Sequence, residues 1–181
     1  MRARNIVRDI LDFGKPREPK PAPSDLKGIV QDAVDMVARH AEILGVSLTT
    51  GYAPDLPPVL ADERQIKEVV VCLLMNALQA MDKKSGVIKV STVFYKRLKQ
   101  VAIEVADQGG GIHEAVLHRI FEPFFSTTKD SCGTGLSLAF SREVVEKHGG
   151  TIKVESREGC GSVFKVLLPI SSKIGYKQEI T

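Results

Sequence analysis

Two glycine-rich segments of the sequence carry residue types that suit the binding of a small polar ligand. The first, DQGGGI at residues 107–112, follows a strand-like run, and the second, GTGL at residues 133–136, opens a helical pattern. In the first, a partly buried Asp107 carboxylate would accept an amino hydrogen such as that of adenine, and the glycines would let a base approach the backbone. The second would offer free backbone N–H groups and the positive end of a helix dipole to an anion. Each segment taken alone is also typical of an ordinary turn.

A polar face interrupts the apolar segment EVVVCLLMNAL at residues 68–78, and Asn76 lies on it. A buried amide without a partner costs on the order of 1–3 kcal/mol, so this side chain requires one. In one interpretation, another polar group in the core forms hydrogen bonds with the amide. In the other, its carbonyl oxygen binds a hard cation such as Mg²⁺, which prefers oxygen ligands.

Between the glycine segments lies FEPFFSTTKDSC at residues 121–132, where three phenylalanines lead into a polar stretch. Such a group of aromatic residues is most often core packing. The functional alternative is a hinge that anchors a mobile lid, with Thr127, Thr128 or Lys129 reaching phosphate oxygens.

The elements that must position these groups alternate between helical and strand-like patterns. We predict a helix capped by Ser24 or Asp25 and ending near Gly45, and a second from Asp62 to about Met81 with a capping box completed by Gln65. We predict a strand at VSLTTGY, residues 46–52, and a hairpin formed by Val87–Tyr95 and Gln100–Ala106. A third helix is predicted over Gly135–His148, followed by a strand pair of Thr151–Ser156 and Ser162–Leu168. This order predicts an α+β fold, a two-layer sandwich of one mixed, mostly antiparallel sheet with helices on one face.

The N-terminal stretch differs in composition from this domain. Helical spacing over Ile6–Phe13 is ended by Gly14 and Pro16, and the four prolines of residues 15–23 indicate a semi-rigid extended linker. We therefore predict a short helix and linker at 1–23, one folded domain at 24–170 and a tail at 171–181.

Charge and cysteine usage exclude several classes of function. The 25 Lys and Arg residues exceed the 22 Asp and Glu residues by only three and are spread along the chain, so no nucleic-acid partner is predicted. Three cysteines without a close pair suit a reducing compartment, and we predict a cytoplasmic location without disulfide or zinc site. No apolar run approaches the roughly 20 residues that cross a bilayer, so this chain is not expected to contact a membrane, whether or not a parent protein is membrane-bound.

Taken together and in this order, the segments resemble the catalytic domain of sensor histidine kinases, within the ATPase superfamily shared with gyrase, the Hsp90 chaperones and the MutL repair proteins. NALQAM at 76–81 resembles the N box, DQGGGI the first glycine box, FEPFFST the phenylalanine box and GTGLSLA the second glycine box. The similarity extends over about Ser24 to Ile170 and implies the Bergerat-type ATP-binding fold. Residues 4–19 are similar to the end of a second dimerisation helix and its linker in nitrogen-regulation kinases.

The resemblance implies ATP and Mg²⁺ as ligands. Asn76 would bind the Mg²⁺ that bridges the triphosphate, which makes it the catalytic and metal-binding residue, and Asp107 would select adenine. Catalysis would consist of positioning and charge stabilisation. The other residues placed around the nucleotide are Gly109, Gly111, Ile112, Phe121, Thr128, Lys129, Gly133, Thr134, Gly135 and Leu136.

The implied function is transfer of the ATP γ-phosphate to a histidine on a dimerisation domain, followed by relay to the receiver domain of a response regulator, in a homodimeric parent protein. None of His40, His113, His118 and His148 matches the acid-flanked pattern of the phosphate acceptor, and each is predicted to be a surface or helix-end residue. We therefore do not expect this chain to phosphorylate itself.

The sequence departs from the family at the N box. Cys72 stands where histidine kinases usually have Asn and hydrolysing relatives a Glu base, Gln79 where many relatives have a basic residue, and Ser137 where Gly is usual. A thiol cannot replace the Glu at neutral pH, so fast ATP hydrolysis is not expected. These departures keep open a degenerate nucleotide-sensing module without phosphotransfer. An anti-sigma-factor serine kinase shares the pocket, but the dimerisation-helix similarity before Pro16 argues against it.

Overall fold

The computed structural model describes residues 18–81, 85–125 and 135–171. The helix predicted at Ile6–Phe13 and the tail beyond Ser171 lie outside these residues. The elements are β1 (Ala22–Ser24), α1 (Leu26–Ile43), β2 (Val46–Gly51), β3 (Val59–Ala61), α2 (Glu63–Ala80), β4 (Gly86–Tyr95), β5 (Gln100–Ala106), α3 (Glu114–Leu117), α4 (Ser137–Lys147), β6 (Thr151–Arg157) and β7 (Gly161–Pro169).

A five-stranded sheet in the order β2-β4-β5-β7-β6 forms one layer of the molecule. The β2–β4 pair is parallel, and its connection runs through α2, as the long crossover of a parallel pair requires. The other pairs are antiparallel. Helices α1, α2 and α4 form the second layer, with α2 packed between the other two. The predicted α+β sandwich is therefore confirmed.

The two long helices begin where the sequence provides an Asp cap. Asp25 accepts hydrogen bonds from the backbone N of Lys27 (3.0 Å) and Gly28 (3.3 Å), and Asp62 Oδ1 accepts one from Gln65 N (3.2 Å). These bonds satisfy amides that the first helical turn leaves without intrahelical partners. Helix α2 buries most of its circumference, as a helix between two others must. No helix among the described residues is long and apolar enough to cross a membrane.

The predicted capping box at Asp62 is only half formed, because a distant histidine takes the other bond. The Asp62 backbone N donates to His148 Nε2 at 3.0 Å, while His148 Nδ1 lies 2.8 Å from Val144 O. Since Nε2 accepts, the hydrogen is on Nδ1 and is donated to Val144 O. His148 is the C-cap of α4 and is buried, so its ring joins the end of α4 to the start of α2.

The last residues of the predicted linker form a strand on the folded domain. β1 pairs antiparallel with β3, and Ser24 Oγ lies within hydrogen-bonding distance of Ala22 O (2.9 Å) and Ala61 O (3.1 Å). Lys20 N donates to Asp62 Oδ2 at 2.9 Å, which places the linker on the residue that caps α2. Pro23 is tolerated because a two-stranded ribbon consists of edge strands only. A three-residue strand containing proline has no recognisable sequence pattern, which explains why it was not predicted.

Replacing His148 with Ala should lower the free energy of unfolding by about 1–3 kcal/mol, because the part-buried Asp62 amide loses its acceptor. Urea denaturation at neutral pH measures this change. The control is His118→Ala, at an exposed position, which should change stability by less than about 0.5 kcal/mol. Equal losses in the two variants would show that the His148 contact contributes nothing specific.

Candidate functional site

The inner face of the sheet is apolar until its last row, which is polar. Inward side chains align across β5, β7 and β6 because paired residues in neighbouring strands point to the same face. The rows are Ile103–Val166–Ile152, then Val105–Phe164–Val154, then Asp107–Ser162–Ser156. The last row forms a polar floor beside the first glycine segment.

Asp107 is a buried carboxylate held by backbone amides. The residue is 7% exposed, and its Oδ1 accepts hydrogen bonds from Gly109 N (2.8 Å) and Ser162 N (3.3 Å). Burial raises the pKa of Asp107, and the two amide bonds oppose that rise because they favour the charged form. Both bonds from the described residues end on Oδ1, which leaves Oδ2 to accept from a ligand.

The first glycine segment passes between the end of α2 and the end of β6. A Cβ on Gly109 would lie 2.4 Å from Ala80 O, and one on Gly111, where φ is +68°, would lie 2.1 Å from Arg157 O. The glycine between them, Gly110, has open space around its Cβ position and donates its N–H to Ala80 O at 3.1 Å. The structure therefore requires glycine at the two positions that the family resemblance assigns to the pocket.

The turn between β6 and β7 closes on the same loop and was not singled out by the sequence. Gly159 N donates to Gly110 O at 2.7 Å. Gly161 has φ +91°, and a Cβ there would lie 2.1 Å from Asp107 O. The two glycines of this turn are a signal that sequence reasoning could have used, because closely spaced glycines mark a close approach of backbones.

Ser156 and Ser162 were also missed as site residues. Ser156 Oγ accepts from Ile112 N at 2.8 Å and lies 3.0 Å from Gly161 O and 2.9 Å from Ser162 Oγ. Their signal was present in the alternation of the last two strands. Both serines occupy inward positions where that alternation calls for apolar side chains.

Asn76 lies on α2 one helical turn before Ala80, the residue against which Gly109 packs. Four residues correspond to about 6 Å along a helix, so the amide stands near the base of the glycine loop. Its Nδ2 atom is buried and has no hydrogen-bond partner among the described residues. Because the two ends of an amide can exchange by rotation, Asn76 can present oxygen or nitrogen to a ligand.

Cys72, one turn before Asn76, faces α4. The side chain of Ser141 in α4 is near its thiol, and burial raises the pKa of the thiol to about 11. The thiol therefore stays protonated at neutral pH and does not act as a base.

The phenylalanine-rich segment and Gly135 meet at the two ends of residues 126–134, which are outside the described part of the chain. Phe124 N donates to Gly135 O at 3.0 Å, and a Cβ on Gly135 would lie 2.6 Å from the Phe124 carbonyl carbon. Phe121 is half-buried, with the Arg142 guanidinium of α4 5.9 Å from its ring centroid. These contacts fix the two ends of the segment that was interpreted as a lid.

Several predicted site residues, Thr128, Lys129, Gly133 and Thr134, lie outside the described residues. Helix α4 begins at Ser137 rather than at the predicted Gly135, because the φ of +66° at Gly135 lies outside the helical region. Leu136 is the N-cap residue and provides no side-chain cap, so it leaves the amides of the first turn to other partners.

Gly109→Ala should lower the free energy of unfolding by about 1–3 kcal/mol, since the new methyl group would overlap backbone atoms of Ala80. The neighbouring Gly110→Ala is the matched control, with open space at its Cβ position, and should cost less than about 1 kcal/mol. Thermal and urea unfolding of both variants measure the difference. A larger loss at Gly110 would contradict the packing described here.

The family model described as histidine kinase-, DNA gyrase B- and HSP90-like ATPase matches residues 61–172. This match covers more than half of the chain and includes both glycine segments, Asn76 and Asp107. The chain belongs to this ATPase family.

Curated relatives of this chain include sensor histidine kinases. The sensor histidine kinase ZraS of Klebsiella oxytoca is 36% identical over 172 residues, which are 95% of this chain and 36% of ZraS. The chain thus spans about a third of the length of this curated relative.

Solved structures agree with the fold. Full-length ShkA in complex with AMPPNP superposes with a TM-score of 0.77 at 25% identity, over 94% of this chain and 36% of ShkA. The nucleotide-free catalytic domain of histidine kinase ThkA gives 0.73 at 28% identity, over 83% of this chain and 97% of that domain. ThkA in complex with response regulator TrrA gives 0.73 at 28% identity, over 94% of this chain and 48% of that chain.

Proposed function

We propose that this chain is the ATP-binding catalytic domain of a two-component sensor histidine kinase. It transfers the γ-phosphate of ATP to a histidine on a dimerisation domain of its parent protein, a homodimer, for relay to a response regulator. The observation that carries the proposal is the buried Asp107 carboxylate beside the glycine loop, within a chain that belongs to the family of histidine kinase-like ATPases.

The residues around Asp107 suit an adenine base. A buried carboxylate with one oxygen held by Gly109 and Ser162 has its second oxygen available to an amino group. In a buried site an acceptor of this kind favours a ligand with a matching donor, because the alternative leaves it unpaired. The AMPPNP bound to the similar kinase ShkA is an adenine nucleotide and supports this assignment.

The residues of α2 and α4 suit the triphosphate and its Mg²⁺. Asn76 has a buried amide end without a partner among the described residues and can offer its oxygen to a hard cation. Mg²⁺ commonly takes only one or two protein ligands, with water and phosphate oxygens completing its coordination. The start of α4 after Leu136 presents backbone amides and the positive end of the helix dipole to anionic oxygens.

The chain contributes positioning rather than covalent chemistry to phosphoryl transfer. When bound, Mg²⁺ supplies positive charge that offsets the charge developing on the phosphate oxygens. Asp107 and the glycine loop fix the base, and Asn76 fixes the metal-binding end of the pocket. The protonated Cys72 thiol cannot activate a water molecule, which favours transfer to a protein acceptor over hydrolysis. The complex of the similar kinase ThkA with TrrA supports relay to a response regulator.

Asp107→Asn should weaken ADP binding by at least about 100-fold, because the amide that keeps its oxygen on Gly109 and Ser162 turns a donor toward the adenine amino group. Isothermal titration of the chain with ADP measures the affinity. Asp35→Asn, at an exposed position of α1, is the control and should bind as wild type. Retained affinity in Asp107→Asn would refute the adenine assignment.

The affinity of the wild-type chain for ADP should also depend on pH. Because burial raises the pKa of Asp107, this carboxylate is protonated at a higher pH than an ordinary aspartate, and the affinity for ADP should fall as the pH is lowered through that higher pKa.

Phosphotransfer is tested by mixing the chain with labelled ATP, Mg²⁺ and a dimerisation domain that carries its histidine. We expect label on that domain and none on the chain itself. Asn76→Ala should lower the transfer rate by at least about 100-fold, since the amide oxygen is gone. For the same reason, nucleotide binding by this variant should no longer depend on Mg²⁺. Tight ATP binding without any transfer would instead favour the nucleotide-sensing module suggested by Cys72 and Gln79. No binding of ATP or ADP would exclude both functions.

A further inference from the structure

We infer that the groove between α1 and α2 binds the N-terminal segment of this same chain, through the helix predicted at residues 6–13. The inference goes beyond the proposed function and does not depend on it, because it involves no residue of the nucleotide pocket. It is carried by two exposed apolar side chains on α1, by an acidic pocket between the starts of the two helices, and by the point at which the preceding chain is fixed.

Four residues follow one line along the surface of α1 and its N-cap. Positions four, seven or eleven residues apart share a face of a helix, because one turn takes about 3.6 residues. Met36 and Ile43 are four and eleven residues after Asp32, and Asp25 is seven residues before it. The Lys67 ammonium of α2 lies 3.2 Å from Asp32 Oδ2, so this line faces α2. We call the strip between the line and α2 the α1–α2 groove.

The far part of the α1–α2 groove is apolar and exposed. Met36 is 61% exposed and Ile43 is 72% exposed. On the α2 side, Val71 lies one turn after Lys67 and is buried, and Met75 lies one turn further and is half-buried. Single exposed apolar side chains are ordinary, but two on one line beside a second helix form a surface that suits the apolar stripe of a third helix.

The near part of the groove is acidic. A pocket there is lined by the carboxylates of Asp25, Asp32 and Glu63 and by the ammonium of Lys67. Three negative charges and one positive charge give these four side chains a net charge of −2. Residues 1–17 carry five Lys and Arg side chains against two Asp, a net charge of +3. The groove and the segment are therefore electrostatically complementary.

The position of Lys20 brings the preceding chain to this end of the groove. Its backbone N donates to Asp62 Oδ2 at 2.9 Å, at the start of α2. The six residues 14–19 span at most about 20 Å when extended. Met36 lies about 16 Å along α1 from Asp25, as eleven residues of helix require. The connection is therefore long enough to place a helix beside Met36.

The predicted helix matches the apolar part of the groove in length. Eight helical residues at 6–13 extend about 12 Å, and Met36 and Ile43 are about 10 Å apart along α1. Because the chain continues from this helix to the start of α2, the bound helix runs antiparallel to α1, with its C-terminal end beside Met36. An apolar stripe packs against one surface at a time, so the groove competes with any helix bundle that the segment would otherwise join.

Amide hydrogen exchange of the full chain without nucleotide tests this binding. A helix of eight residues is marginal in water by itself, so slow exchange at residues 6–13 requires a surface that binds them. In wild type we expect exchange at least about 10-fold slower than in an unfolded peptide of the same sequence. Met36→Asp and Ile43→Asp should each accelerate it by at least about 5-fold, because a carboxylate replaces an apolar contact. Leu98→Asp, at a 65% exposed position between β4 and β5, is the matched control and should leave exchange slow.

Oxidation of Met36 by hydrogen peroxide measures the same contact from the side of the groove. A covered thioether is oxidised more slowly than an exposed one. Ile10→Asp, in the apolar stripe of the segment, should raise the rate of Met36 oxidation by at least about 3-fold, as followed by mass spectrometry. Asn5→Asp introduces the same side chain beside that stripe and should leave the rate unchanged. The substituted positions are exposed or precede the folded domain, so urea midpoints should stay at the wild-type value.

Three results would overturn the inference. Fast exchange at residues 6–13 in wild type would show that no surface binds the segment. Slow exchange that persists in Met36→Asp and Ile43→Asp would place the segment on another surface. Slow exchange that appears only as the concentration rises, with a dimer mass by light scattering, would assign the groove to a second copy of the chain. None of these results affects ADP binding, which tests the proposed function separately.

Discussion

The burial of the Asp107 carboxylate is the constraint on which the rest of the pocket depends. A charged group removed from water costs several kcal/mol unless hydrogen bonds replace its hydration, and hydrogen bonds to a charged group contribute about 1.5–3 kcal/mol each. Here the donors are backbone amides of Gly109 and Ser162, which come from two different strand ends. Backbones approach this closely only where side chains are missing, which explains the glycines at 109, 111 and 161.

The helical layer gives this pocket a stiff base. Helix α2 packs against α4 and is bonded to it at its start by the Asp62–His148 hydrogen bond. Gly110 N and the packing of Gly109 tie the other end of α2 to the glycine loop. The elements that carry Asn76, Asp107 and the start of α4 are therefore held as one unit.

Asp62 also connects this unit to the N-terminal segment. Its side chain accepts from Gln65 N and from Lys20 N, while its own amide donates to His148. One residue thus caps α2, holds the strand-forming end of the linker and contacts α4. The end of the linker is therefore bonded directly to the residue at which α2 begins.

The sequence by itself determined what depends on near neighbours along the chain. Residues three or four apart on one helix face predicted α1 and α2, their Asp caps lie within three residues of the amides they satisfy, and turn residues marked the β4–β5 hairpin. Asp107 with its glycines and Asn76 in an apolar helix were visible for the same reason. Their order along the chain then carried the family resemblance.

Only the tertiary structure decided the contacts between distant parts of the chain. The Asp62–His148 bond spans 86 residues and the Asp107–Ser162 bond spans 55, and no local periodicity records either. The roles of Ser156, Ser162 and Gly161 follow from which strands are neighbours, because the row they form exists only when β5, β7 and β6 are paired in register. A hydroxyl in a strand has no special meaning until the fold places a carboxylate and a backbone amide beside it.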